Sequence, residues 1–65
     1  MQQFNVQGMT CGHCVRAVTQ AITAQDPAAE VQIDLAAGKV ETNTQLPPER
    51  IIQLIAEEGY SATSA

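Results

Sequence analysis

Two cysteines, Cys11 and Cys14, stand three positions apart near the start of this 65-residue chain, with Gly12 and His13 between them. Paired thiols at that spacing support two kinds of chemistry. A redox dithiol needs an attacking thiolate of low pKa, usually at a helix N-terminus, with a resolving partner beside it. A metal site needs two thiolates that converge on one ion, and this spacing lets one sulfur come from a loop and the other from the first turn of a following helix. Both would gain there from the helix dipole and from backbone N–H donors. Structural zinc usually takes four Cys or His ligands, whereas the chain holds two Cys and one His. Two thiolates with no obligatory further ligand suit a soft d10 ion that tolerates low coordination, above all Cu(I).

Two nearby side chains, and one far along the chain, bear on the donor set. Met9 carries a thioether that can bind Cu(I), although a Met beside a loop more often plugs a core. His13 lies at a helix start with its ring expected outward, which favours a solvated role over that of a third ligand. Tyr60 carries a ring that could pack beneath the loop and a hydroxyl that could reach a sulfur, provided the fold brings it there.

The length allows one small domain, residues 1–65. At about 60 residues a domain buries only about 60% of the surface its unfolded chain exposes, so the core must be used efficiently. Hydrophobic residues make up 45% of the sequence, chiefly Val, Ile, Leu and Ala, which argues for a packed core and against disorder. With no Trp, one Phe and one Tyr, almost nothing is available to stack on nucleic-acid bases. Seven acids against Arg16, Lys39 and Arg50 give a net charge of -4, which disfavours DNA, RNA and anionic membranes as partners. The acids lack the spacing of a catalytic pair, so no catalytic residues and no enzyme activity are expected.

The opening M-Q-Q-F-N-V-Q-G has neither the basic nor the apolar region of a secretion signal. The apolar cluster I-I-Q-L-I-A is far too short to cross a bilayer. The expected location is cytoplasmic, without membrane insertion, and a start at Met1 with no linker favours a free-standing protein. In that compartment two neighbouring cysteines are more often metal-binding or redox-active than structural, and the loop they would close as a disulfide is tiny.

The elements that must position these residues follow from periodicity. Gln2 to Val6 alternates, predicting a strand with Phe4 and Val6 on one face, and Gly8 to Gly12 form a loop. From Gly12 to Ala24 the pattern becomes helical: Cys14, Val18 and Ile22 recur at i, i+4 and i+8, with Val15 and Ala21 beside them. Asp26-Pro27 ends that helix. Val31 to Leu35 alternates again, A-A-G-K turns, and Lys39 to Thr44 returns with Val40 and Thr42 inward, which reads as a hairpin. Pro47-Pro48 opens a second helix, with Glu49 near its positive dipole end. Ile51, Leu54 and Ile55 form its buried stripe, Ile52 lies off that stripe, and Gly59 stops the helix. Tyr60 to Ser64 is a weak final strand. The order β-α-β-β-α-β predicts an α+β, ferredoxin-like open-faced sandwich: a four-stranded antiparallel sheet with two helices on one face. Right-handed crossovers place the first loop and the Gly59-Tyr60 turn at one end.

The tetrapeptide C-G-H-C is also the active-site sequence of protein disulfide isomerases. Those domains use a thioredoxin-type scaffold of roughly a hundred residues, typically with a cis-proline facing the sulfurs. This chain is shorter, and Pro27, Pro47 and Pro48 all fall outside the expected site. A thiol-disulfide redox protein is therefore the weaker reading.

Taken as a whole, G-M-T-C-G-H-C followed by a helix, then V-Q-I-D-L, a Gly-Lys turn and a late E-E-G-Y, resembles the heavy-metal-associated domain family. Within that family it is similar to the short bacterial copper chaperones of the CopZ kind, over nearly the whole chain. The resemblance implies Cu(I) as the ion, Cys11 and Cys14 as its ligands, a buried Met9 that anchors the metal loop, and Tyr60 near the site. It implies transfer of copper by ligand exchange to a partner such as the metal-binding domain of a copper-transporting P-type ATPase, through a surface around Gly12, His13, Arg16 and Tyr60 with the sulfurs near solvent. A metal-bridged homodimer is a further expectation. The alternatives are the metal-binding domain of a P-type ATPase or a mercury carrier. Departures from the family pattern are Pro47, where a hydroxyl-bearing helix cap is common, Thr42 in place of Val, and a tail, S-A-T-S-A, that is less apolar than usual.

Overall fold

The computed structural model describes residues 1–10 and 12–65; Cys11 lies outside the described residues. Its elements, in chain order, are β1 (Gln2–Gln7), α1 (Gly12–Gln25), β2 (Glu30–Asp34), β3 (Lys39–Asn43), α2 (Pro48–Glu57) and β4 (Ser61–Ser64). The strands pair in the order β2-β3-β1-β4, every neighbour antiparallel. This is the expected ferredoxin-like βαββαβ sandwich.

Period-two alternation decides which side of the sheet is covered. Phe4 and Val6 of β1 and Val40 and Thr42 of β3 are buried, while their neighbours Gln3, Asn5, Lys39 and Asn43 are not. Against that face α1 presses Cys14, Val18 and Ile22, and α2 presses Ile51, Leu54 and Ile55. Burying one Val, Ile or Phe side chain contributes about 1.5–3 kcal/mol, whereas a surface ion pair contributes about 0–1 kcal/mol. The core therefore decides stability in so small a chain. Ile52, expected off the stripe, is half-buried and packs on the edge of this core. Thr42 is fully buried, and its hydroxyl is satisfied by donating to the Glu30 carbonyl oxygen at 2.9 Å.

Element ends differ from the periodicity where side chains or tight turns intervene. Leu35 continues the alternation of β2 but lies in the turn, 36% exposed. The strand stops at Asp34 because that carboxylate accepts the Ala37 N–H at 3.2 Å, which starts the turn one residue early. Gly38 then takes φ 64 to bring the chain back. Thr44 leaves β3 to bond elsewhere, and Tyr60 precedes β4 rather than joining it. Pro47 offers no side-chain cap to α2; its carbonyl accepts from Arg50 and Ile51 instead, at 3.0 and 3.2 Å.

The pairing also fixes which loops share an end. Gln7 faces Ser61, and the Val6 N–H donates to the Gly38 carbonyl at 2.7 Å. The loop after β1, the β2–β3 turn and the α2–β4 turn therefore lie together. At the opposite end, Asp26 ties the exit of α1 to the exit of β3. Its carboxylate accepts from the Thr44 hydroxyl at 2.6 Å and from the backbone N–H groups of Ala28 and Gln45.

The Thr44 hydroxyl, seconded by the Gln45 and Ala28 amides, holds the Asp26 carboxyl below the usual aspartate range. A depressed folded pKa contributes stability that is present above the unfolded value of about 3.9 and is lost as pH falls through the folded value. Thr44→Val should raise the Asp26 pKa toward the ordinary value and flatten the stability profile below about pH 4. Carboxyl titration by NMR checks the first effect, and acid unfolding of both proteins checks the second. An unchanged Asp26 titration in the variant would remove the hydroxyl as the cause.

Candidate metal centre

The site is built where β1 runs into α1. Gly8 turns the chain with φ 99, a conformation that L side chains rarely adopt. Met9 follows and is buried, 8% exposed, within the same cluster as Phe4, Val6, Val18 and Cys14. Cys14 lies in the first turn of α1 on the row that continues through Val18 and Ile22. Helical periodicity therefore aims its side chain at the core side of the loop, where Met9 also enters. Gly12, His13 and Arg16 are exposed on the other side of that turn. Among the described residues, no three His, Cys, Asp or Glu side chains gather as a metal-binding group.

Tyr60 reaches the same end from the other half of the fold. The Gly59 N–H donates to the Ala56 carbonyl at 2.9 Å and the Tyr60 N–H to the Ile55 carbonyl at 3.3 Å, with Gly59 at φ 96. That is a Schellman ending, which satisfies carbonyls that the helix leaves open. It delivers Tyr60, half-buried, to the loop after β1: a Cβ placed on Gly8 would lie 3.3 Å from Tyr60 Cδ1. Exposed Glu57 and Glu58 precede this turn, and α2 has no base in its last turn, so the Tyr60 side of the site is negative. Arg16 supplies a cation on the α1 side.

The structure thus brings Met9, Cys14, Gly12, His13 and Tyr60 to one end, with Arg16 on the adjoining turn of α1. Cys11, the other expected ligand, lies outside the described residues. One expectation needs correction. The sulfurs were expected near solvent, yet Cys14 is buried, 7% exposed. The same i, i+4 spacing that makes Cys14 the first member of the core row withdraws it from the surface. Gly8 was read only as part of a loop. Its contact with Tyr60 joins residues 52 positions apart, and a glycine just before a buried Met was the sole local signal.

Comparison with known proteins agrees with this architecture. The heavy-metal-associated domain family matches residues 3–61. The copper chaperone CopZ of Bacillus subtilis is 34% identical over 60 residues, covering 88% of this chain and 87% of that protein. A copper-exporting P-type ATPase of Vibrio cholerae is 33% identical over 64 residues, which is 98% of this chain but 7% of the ATPase. Among solved structures, the copper chaperone Atx1 from Synechocystis PCC6803 superposes with a TM-score of 0.90 at 34% identity, covering 94% of this chain and 97% of the other.

The burial of Met9 predicts its energetic weight. Met9→Ala should destabilise the metal-free protein by about 2–5 kcal/mol, because a cavity adds to the lost transfer energy. Met9→Leu, which conserves volume, should cost less than about 1.5 kcal/mol. Denaturant unfolding of the three proteins measures both. Equal stability of the Ala variant and the parent would show that the loop is not anchored by this side chain.

Proposed function

The chain belongs to the heavy-metal-associated domain family, and on that premise we propose that it is a metallochaperone with Cu(I) as its cargo. Cys11 and Cys14 supply the two thiolates, and the ion passes by ligand exchange to a partner such as the metal-binding domain of a copper-transporting P-type ATPase. The observation that supports this reading best is the placement of Cys14. It heads α1 beside Met9, at the end of the fold that also carries Gly8 and Tyr60, in a chain whose relatives of similar length include copper chaperones.

Each neighbour then has a distinct task. Met9 fills the core beneath the loop and is not a ligand. The Tyr60 hydroxyl adjusts the charge on the sulfurs, a hydrogen-bond effect of about 0.5–1.5 kcal/mol. Gly12, His13, Arg16 and Tyr60 form the surface on which the acceptor docks, weakly and only while metal is shared. With Cys14 buried, exchange starts at Cys11, and Cys14 is the last ligand to let go. No described helix is long and apolar enough to cross a membrane, and the proposed place of work is the cytoplasm. The match over 98% of this chain to a stretch of a P-type ATPase favours a second reading with the same chemistry, in which the sequence is such an enzyme's metal-binding domain.

Anaerobic competition with a Cu(I)-specific chelator should show tight binding of one Cu(I) per chain. Cys11→Ser and Cys14→Ser should each weaken it by more than about 100-fold, since groups that merely orient ligands are already worth 10–100-fold. Weak Cu(I) binding together with robust reshuffling of scrambled disulfides would reverse the assignment in favour of redox chemistry.

Hand-over has its own signature. An incoming thiolate bonds to the ion before the first one leaves, so the rate of transfer to a related metal-binding domain should rise with the concentration of that domain. A rate fixed at the spontaneous off-rate at every acceptor concentration would eliminate direct exchange.

A further inference from the structure

Gly8 meets two demands at once. Its φ of 99 falls where L side chains are strained, and the position a Cβ would occupy lies 3.3 Å from Tyr60 Cδ1, closer than ordinary van der Waals contact. A side chain at position 8 would therefore start against the edge of the tyrosine ring. The backbone of Tyr60 cannot readily back away. It is held from one side by its N–H bond to the Ile55 carbonyl, and from the other by Ser61, which is paired with Gln7. Two residues before Gly8, the Val6 N–H is tied to Gly38, whose own close approach leaves only 3.0 Å between a would-be Cβ and the Val6 carbonyl. One residue after Gly8, Met9 enters the core. The start of the metal loop is thus bounded by a hydrogen bond before Gly8, the edge of the Tyr60 ring beside the place a Cβ would take, and a buried side chain after it.

We propose that Gly8 is a positioning residue for the metal loop, acting through the ring of Tyr60. The contact between glycine backbone and ring, and not only the tyrosine hydroxyl, sets the height at which the loop meets the head of α1, and so the geometry in which two thiolates reach one Cu(I). This inference rests on the Cu(I)-binding reading above. A methyl group at position 8 lifts the loop off the ring. Without the ring, the same methyl has nothing to push against, although the strain from φ remains.

That difference separates positioning from mere stability. The test uses the whole chain as parent, Gly8→Ala, Tyr60→Ala and the double variant. Cu(I) affinity is measured by anaerobic chelator competition and metal-free stability by denaturant unfolding. Contacting residues commonly couple strongly enough to shift an equilibrium about tenfold. Gly8→Ala should therefore weaken Cu(I) binding about tenfold when Tyr60 is present and less than about threefold in the Tyr60→Ala background. The loss of stability from φ strain should appear in both backgrounds. Tyr60→Phe, which keeps the ring, guards against a Gly8→Ala variant that does not fold. It should lose only the share carried by the hydroxyl, while Tyr60→Ala loses about tenfold more than Tyr60→Phe. Equal loss of affinity from Gly8→Ala in both backgrounds, or equal loss in Tyr60→Phe and Tyr60→Ala, would overturn the inference while leaving the proposed function standing. A parent that fails to bind Cu(I) would bring down both.

Discussion

Cys14, Val18 and Ile22 form one row along α1, and that row is the side of the helix pressed into the core. The fold and the candidate site therefore share a single constraint. A rotation of α1 that moved Cys14 toward solvent would also lift Val18 and Ile22, both fully buried, off the sheet. At about 1.5–3 kcal/mol for each buried side chain, against a total stability of about 0.05–0.15 kcal/mol per residue for small domains, that rotation is not available to the folded chain. The orientation of the cysteine is held by residues that have no chemistry of their own.

The loop that precedes this helix is restrained in a complementary way. Glycines at positive φ stand at Gly8, Gly38 and Gly59, and all three belong to the end of the fold that carries the site. Gly59 closes α2 and presents Tyr60, Gly38 brings the hairpin turn against Val6, and Gly8 leaves room at the edge of the Tyr60 ring where a Cβ would crowd it. The opposite end is closed by a different device, the Asp26 carboxylate reaching Thr44 and Gln45 across the gap between α1 and β3. One end is thus organised by backbone conformation and the other by a charged acceptor.

Much of this was legible in the sequence because it depends on local periodicity. The core residues of β1, α1 and α2 are where the alternation and the i, i+4 spacing place them, and the Asp26-Pro27 stop holds. What was not legible depends on partners far along the chain or on one side chain intercepting a backbone group. Leu35 carries a strand-like pattern, but Asp34 captures the Ala37 amide and ends the strand first. Thr44 resembles one more strand residue until Asp26, 18 positions earlier, claims its hydroxyl. Tyr60 reads as the first residue of a strand, whereas the Schellman turn holds it back against Gly8. The burial of Cys14 could have been read from its place at the head of the core row; the demand for accessible sulfur hid it.

That demand and that burial can be reconciled through the order of events. A carrier has to hold its ion against water and yet release it to another thiolate. Two equally exposed sulfurs would serve release well and retention poorly, and two buried ones the reverse. On the proposed reading the asymmetry of the C-x-x-C motif divides the work. Cys14 is fixed in the core by α1 and remains bonded throughout most of the exchange, while Cys11 meets the incoming ligand. The helix then needs no rearrangement until the last bond breaks. By that point the acceptor already holds the ion with its own thiolates, so the step that disturbs the core is the one in which the cargo has least left to lose.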